Sequence, residues 1–271
     1  MEFKRLSNNL YDDINNTTNK RRRANRKEIL EKKKAIGEVI KVALAEKDPL
    51  SSFPAFRCYR RENLSVYFES GRGDELSFHL KNYIQNLLKV NMEGPYGFEW
   101  PVEEKVKRRE MVACEARYIF VYEALNANAC KSSSRLERSF TNCRADRRPL
   151  VGFVHYRFVI EEELPVLYVY ELQLESRVQG KGLGKFLMQL IELIAQKNQM
   201  GAVLLTVQKA NLGAMNFYVN NLRYLVSTIS PSRVDPSIGI QKSYEILCKT
   251  FDHEANAILA EENVGSKLSN I

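Results

Sequence analysis

LPVLYVYELQLESRVQGKGLGKFLMQLIELIAQ, Leu164 to Gln196, joins a strand, a glycine-rich turn and an amphipathic helix without a break. From Tyr168 to Leu174 most positions are β-branched, aromatic or leucine, which suits a buried strand. Glycines follow at Gly180, Gly182 and Gly184, and beyond them Leu183, Leu187, Ile191 and Ile194 recur at helical spacing. The turn therefore leads into a helix start, where the first amides have no intrahelical acceptor. With glycines around it, those N–H groups can close on a phosphate with no side chain in the way. The stretch predicts an anion cradle for a phosphorylated ligand; its purely structural reading is a glycine-rich turn ahead of a core helix.

Two phosphate motifs fit poorly. A P-loop needs Ser or Thr after its glycine-lysine pair, and Phe186 follows Gly184 and Lys185. A dinucleotide fingerprint needs G-x-G-x-x-G and an acid about 20 residues on, where this chain has Met200 and Gly201. Gln179, Gly182 and Gly184 instead form Q-x-x-G-x-G. A second apolar strand, GAVLLTVQ at Gly201 to Gln208, follows, and Asn211-x-x-Ala214-x-x-Phe217-Tyr218 opens another helix. In motif and order this resembles the GNAT acetyltransferases. The resemblance implies a mixed α/β GNAT fold, a central mixed sheet with helices on both faces, and acetyl-CoA as co-substrate. By the same resemblance the cofactor contacts are Gln179, Gly180, Lys181, Gly182, Leu183, Gly184 and Lys185 in the loop. Leu172, Gln173 and Leu174 would offer backbone groups to the pantetheine arm, and Asn211 would add a further contact. Tyr218 would lie near the thioester sulfur as a proton donor. From the residues alone, Asn211 reads equally as a helix cap and Tyr218 as a core aromatic.

Further runs are similar to the NatD-type N-terminal acetyltransferases, which act on the α-amino group of core-histone tails: DPLSSFPAF from Asp48, NLSVYFE from Asn63, YVYELQLES from Tyr168, KGLGKFL from Lys181 and SYEIL from Ser243. This resemblance implies an N-α-acetyltransferase for tails of the Ser-Gly-Arg-Gly type. Glu171 would be the general base, with Tyr170 beside it and Tyr218 as the acid. Trp100, Val159, Ile160, Glu161, Tyr168, Tyr170, Thr206 and Tyr244 would hold the peptide. The chain departs from that family in a polar insertion near 126–148, in Val159 where an acid is expected, and in Tyr218 where the family tends to have Phe. The competing functions are acetylation of lysine side chains or small amines, and a non-catalytic GNAT-like chromatin adaptor.

The chemistry favours an α-amine. With a pKa near 8 it is roughly a tenth neutral at pH 7, whereas a lysine near 10.4 is neutral in only about one molecule in 2,500. A carboxylate working through one water can take the remaining proton. Strand alternation puts Tyr168 and Tyr170 on one face and Glu171 on the other unless a bulge re-aims it. Glu161, with Glu162 and Glu163 beside it, supplies negative charge suited to a basic tail, or forms a solvated hairpin turn. Trp100, the only tryptophan, walls the peptide site or fills the core.

The net charge of +8 is local: Lys20 to Lys34 holds nine basic residues and two acidic ones, seven of the eight net charges. That run suits a nuclear-import signal or an arm for chromatin or nucleic acid, and also the solvated face of a helix whose stripe is Ile29, Ile36, Val39, Ile40 and Ala43. A nuclear and cytoplasmic monomer with no membrane segment is expected. The five cysteines are odd in number and lack C-x-x-C spacing, and the three histidines are scattered, so free thiols and no metal site are expected.

The domain map is a basic arm and helix over 1–47, an acetyltransferase domain over 48–250 with an exposed insertion at 126–148, and a polar tail over 251–271. Within it, helices are predicted near 28–46 and 74–91. Strands are predicted near 63–69, 116–125, 150–160, 222–228 and 241–248, in addition to the central strand, helix, strand and helix.

Overall fold

The computed structural model describes residues 26–61, 63–124 and 149–261. The expected insertion at 126–148 and the arm before residue 26 lie outside them. The first helix, α1 (26–45), buries Ile36 and Ala43 on the predicted stripe and packs Val39, Ile40 and Leu44 against the main core. Its basic side chains face outward, where Lys32 pairs with Glu254 and Lys33 with Glu163.

Strands β1 (Cys58–Arg61) and β2 (Leu64–Arg72) follow, then α2 (Phe78–Tyr96), α3 (Trp100–Glu110), β3 (Arg117–Glu123), β4 (Leu150–Glu161) and β5 (Leu164–Leu174). Next come α4 (Leu183–Lys197), β6 (Ala202–Gln208), α5 (Leu212–Asn216) with a π turn at Phe217–Asn221, and β7 (Leu225–Val226). The described chain ends with α6 (Pro231–Val234), α7 (Pro236–Gln241), β8 (Tyr244–Thr250) and α8 (His253–Leu259). The eight strands form one sheet in the order β1-β2-β3-β4-β5-β6-β8-β7. Among the described residues only β5 and β6 pair in parallel, because α4 carries the chain back across the sheet between them.

Alternation along the strands feeds two faces. One carries Ile119, Val121, Val154, Tyr156, Leu167, Val169, Val203 and Leu205 against α1 and α4. The other carries Tyr118, Phe120 and Phe153 against α2 and α3, then Val166, Leu204 and Cys248 against α8. This is a mixed α/β GNAT fold with helices on both faces.

Several expectations are corrected. The helix expected near 74–91 starts at Phe78, capped by Ser77, and runs to Tyr96. The tryptophan region is itself a helix, α3, with Pro101 in its first turn, where a missing N–H does no harm. The strand expected near 222–228 shrinks to two residues, because Leu225 and Val226 alone reach β8. Within the polar tail expected over 251–271 lies α8, capped by Asp252 and burying Ala255 and Leu259. Cys58 is disulfide-bonded, against the expectation of free thiols; cysteine count and close spacing say nothing about pairs distant in sequence. Cys114 and Cys248 are free. No helix among the described residues is long and apolar enough to cross a membrane, and these residues contain no metal-binding group of His, Cys, Asp and Glu.

Candidate active site

The site is built where β5 and β6 part. Their parallel register pairs Val166 to Val169 with Ala202 to Leu205 and stops there, so Tyr170 to Leu174 continue beside β4 alone. On the β4 side His155 pairs with Glu171 and Tyr156 with Val169, leaving Tyr170 as the extra residue of a bulge. The bulge resolves the parity problem in the sequence. Glu171 now points to the same sheet face as Tyr168 and Tyr170, toward α2 and α3, while Leu172 packs into the opposite core.

On that face Tyr168 and Thr206 share a hydrogen bond of 2.6 Å between β5 and β6, and the rings of Tyr168 and Tyr170 lie 5.4 Å apart. Burial, foremost, pushes the Tyr168 phenol up to about 12, so it is a neutral donor in the neutral range. Tyr170 stacks on His155 at 4.9 Å, and the Arg157 guanidinium lies 4.4 Å from its ring centroid. Burial, then the charges of Arg157 and Lys107, hold His155 well below its ordinary range, so the imidazole is neutral and is no store of protons.

Both Glu171 oxygens are engaged. Oε1 takes the Lys107 ammonium from α3, and Oε2 accepts from Gln173 Nε2 at 2.8 Å. Lys107 also lies over the Tyr96 ring, 5.3 Å from its centroid. Burial alone would lower the Lys107 ammonium, but the Glu171 carboxylate and Tyr96 outweigh it and hold the group above its usual value. A carboxylate has about four acceptor positions, so each oxygen keeps one for a water or an amine.

The cradle lies at the start of α4. Gly180 and Gly182 sit at φ of +71° and +81°, a region that side-chain-bearing residues rarely adopt, and no side chain caps the helix. A Cβ on Gly180 would meet nothing within 4 Å. One on Gly182 would come within 2.8 Å of Tyr59 Oη and 3.0 Å of Arg61 Nη1. Tyr59 donates to the Lys181 carbonyl at 2.6 Å, and Gln179 Nε2 donates to that of Leu174 at 2.9 Å, so the loop is tied to β1 and β5. The free helix start, the open space at Gly180 and the basic Arg61, Lys181 and Lys185 fit a pyrophosphate.

The remaining candidates are spread around this centre. Leu183 is buried at the first turn of α4, and Gly184 meets Phe217. Asn211 is a helix cap, its Oδ1 accepting from Ala214 N at 3.1 Å. Tyr218 is buried in the π turn, packed edge-on against Phe217 and Tyr224. Trp100 is buried in the α2–α3 core next to Tyr96, and its indole N–H finds no partner among the described residues. Val159 is half-buried beside Tyr168, Ile160 is exposed, and Tyr244 pairs with Gln208 across β6 and β8. Burial, then Glu162, raises the Glu161 carboxyl, while Glu163 is drawn away by Lys33. The sequence reading missed Lys107, Tyr96, His155, Arg157, Tyr59 and Arg61.

The Q-x-x-G-x-G loop at the foot of a split parallel pair has a counterpart among known proteins, the Acetyltransferase (GNAT) family, matched over residues 99–222. Those residues match the GNAT acetyltransferase family. The match gives the class of activity, acetyl transfer from acetyl-CoA, and leaves the acceptor open. Among solved structures the chain is similar to the PaiA N-acetyltransferase of Thermoplasma acidophilum in complex with coenzyme A, at 17% identity over 68% of this chain and 99% of that one, TM-score 0.43. It is similar to Arabidopsis thaliana NAA60 in complex with a bisubstrate analogue at 12% identity over 69% and 99%, TM-score 0.44. A third is Arabidopsis thaliana Naa50 in complex with the bisubstrate analogue CoA-Ac-MVNAL, at 16% identity over 68% and 99%, TM-score 0.41.

Proposed function

We propose that the protein is an N-α-acetyltransferase that passes the acetyl group of acetyl-CoA directly to the free terminal amine of a histone-type tail. The observation that carries this reading is the bulge at Tyr170, which gathers Glu171, Tyr170, Tyr168 and Thr206 on one face where β5 and β6 separate. A terminal amine is the nucleophile such a site can use most readily near neutrality. Acetyl-CoA supplies the activated thioester when it is bound; Gly180 to Lys185 and the part of β5 beyond its pairing with β6, Leu172 to Leu174, would hold it. Glu171 accepts the amine proton through one water, and Tyr168 and Tyr170 orient the peptide backbone. Tyr218, kept neutral by burial, is placed in sequence to return a proton to the departing sulfur.

The histone-type acceptor is supported by the family resemblance of the sequence and by the half-buried carboxylate of Glu161 at the β4–β5 turn. The basic run Lys20 to Lys34 suits nuclear import or a chromatin contact and, with it, residence in nucleus and cytoplasm. Mass spectrometry of a Ser-Gly-Arg-Gly tail peptide, free or blocked at its terminus, tests the reading. Acetylation of the free terminus alone is expected, and equal turnover of the blocked, lysine-containing peptide would refute it.

A further inference from the structure

The helix WPVEEKVKRRE turns most of its charges to solvent, yet Lys107 alone among its basic residues points into the sheet. Its side chain is 11% exposed and that of Glu171 7%. A buried lysine that served packing alone would be better replaced by an apolar residue, because desolvating an ion pair costs about as much as its attraction returns. Here the ammonium meets the Glu171 carboxylate, on the part of β5 that runs beyond its pairing with β6, and it also lies over the Tyr96 ring.

We propose that Lys107 is a positioning residue of the transfer reaction: its ammonium fixes the Glu171 carboxylate in place and disfavours a second ammonium beside it, so the acceptor amine is held neutral. The proposal rests on the reading of Glu171 as the base. A like charge a few ångströms away disfavours protonation of an amine, and Lys107 supplies that charge beside Glu171. Without it, Glu171 would hold the substrate as an unreactive ammonium ion.

The other groups facing the pair leave this role to Lys107. Glu110 and Glu103 on α3 add negative charge, and burial raises the Glu110 carboxyl. Arg157 on β4 is engaged with the Glu110 carbonyl and the Tyr170 ring. His155 is neutral, as are the buried phenols of Tyr96, Tyr118 and Tyr218. Gln173 donates to the carboxylate without carrying charge.

The test is the pH dependence of kcat for acetyl transfer to a Ser-Gly-Arg-Gly peptide in wild type, Lys107→Arg and Lys107→Met. Lys107→Met should move the acidic limb up by about one pH unit. Its KM for the peptide at neutral pH should be unchanged or lower, since the ammonium form is then welcome. Lys107→Arg, which retains the charge, should follow wild type. A folded Lys107→Met whose acidic limb overlays that of wild type overturns the proposal, since a merely structural lysine would change the melting temperature alone. A wild type inactive on this peptide would refute the acceptor reading instead. In that event the same pH profiles are recorded on whichever N-terminal peptide of a panel wild type acetylates, and if Lys107→Met does not fold, Lys107→Gln takes its place. An acidic limb that overlays wild type in the folded neutral variant overturns the proposal.

Discussion

Replacing Glu171 with Gln removes a charge while keeping size and hydrogen bonding, and the structure gives the change two separate consequences. The first is catalytic: an amide cannot take the amine proton, so kcat at pH 7 should fall by roughly 10² or more. The second is structural, because Lys107 is left charged and buried without its partner. Breaking one side of a buried ion pair costs about 3–5 kcal/mol. At a few degrees per kcal/mol for a chain of this size, Tm should drop by roughly 10 °C. The two effects follow pH differently. In wild type the folded Lys107 is held above its unfolded value, so the stability it contributes is complete below about pH 10 and is lost only as pH rises through the folded value. In the variant burial is no longer outweighed and the folded value drops below the unfolded one. The penalty is then full at neutral pH and fades toward about pH 10. Thermal melts at several pH values, with rates per folded enzyme at the same values, check both. The Tm gap should narrow in alkali, and part of the rate defect should recover above about pH 9, where the α-amine is already mostly neutral. A wild-type Tm at neutral pH would refute the buried pair, and a wild-type rate would refute the base.

Gly182→Ala should weaken acetyl-CoA binding and lower Tm by a few degrees, because the residue sits at φ +81° and its new Cβ would press on Tyr59 Oη. Calorimetry checks this, and unchanged affinity in a folded variant would contradict the phosphate-loop reading. Tyr218→Phe should reduce kcat by roughly 10² with little change in KM for acetyl-CoA, since burial and then the charge of Glu171 push the phenol well above its ordinary range and keep its proton available. Steady-state kinetics at neutral pH measure it, and an unchanged kcat would exclude Tyr218 as proton donor.

The strand, glycine loop and helix from Leu164 to Lys197 were legible because each carries a local signal: an apolar run, residues free of a Cβ, and helical spacing. The residue types in the centre, Tyr168, Tyr170 and Glu171, were legible too, but their shared face was not. A bulge is set by how two strands twist past each other, and period-two counting has no term for it. Lys107 was hidden for a different reason. Among Lys105, Lys107, Arg108 and Arg109 nothing local marks the one that turns inward, and only the docking of α3 on the sheet selects it. Strand β1, written CYRR, and the capped helix α8 were passed over because short polar segments gain their structure from the core they join. The disulfide of Cys58 left no trace in spacing for the same reason: its cause is tertiary.

Among the described residues the sheet has two outer edges, β1 and β7, and one that is internal, where β5 outlasts its pairing with β6. An outer edge offers its amides and carbonyls to any strand that arrives, including another protein's. The inner edge runs beside β6 where the two strands have ceased to pair, so a visitor there must fit between strands of the same sheet. Such a place suits a slender chain that carries amides of its own better than it suits a second sheet. The hazard of an exposed strand is turned by its location into a filter.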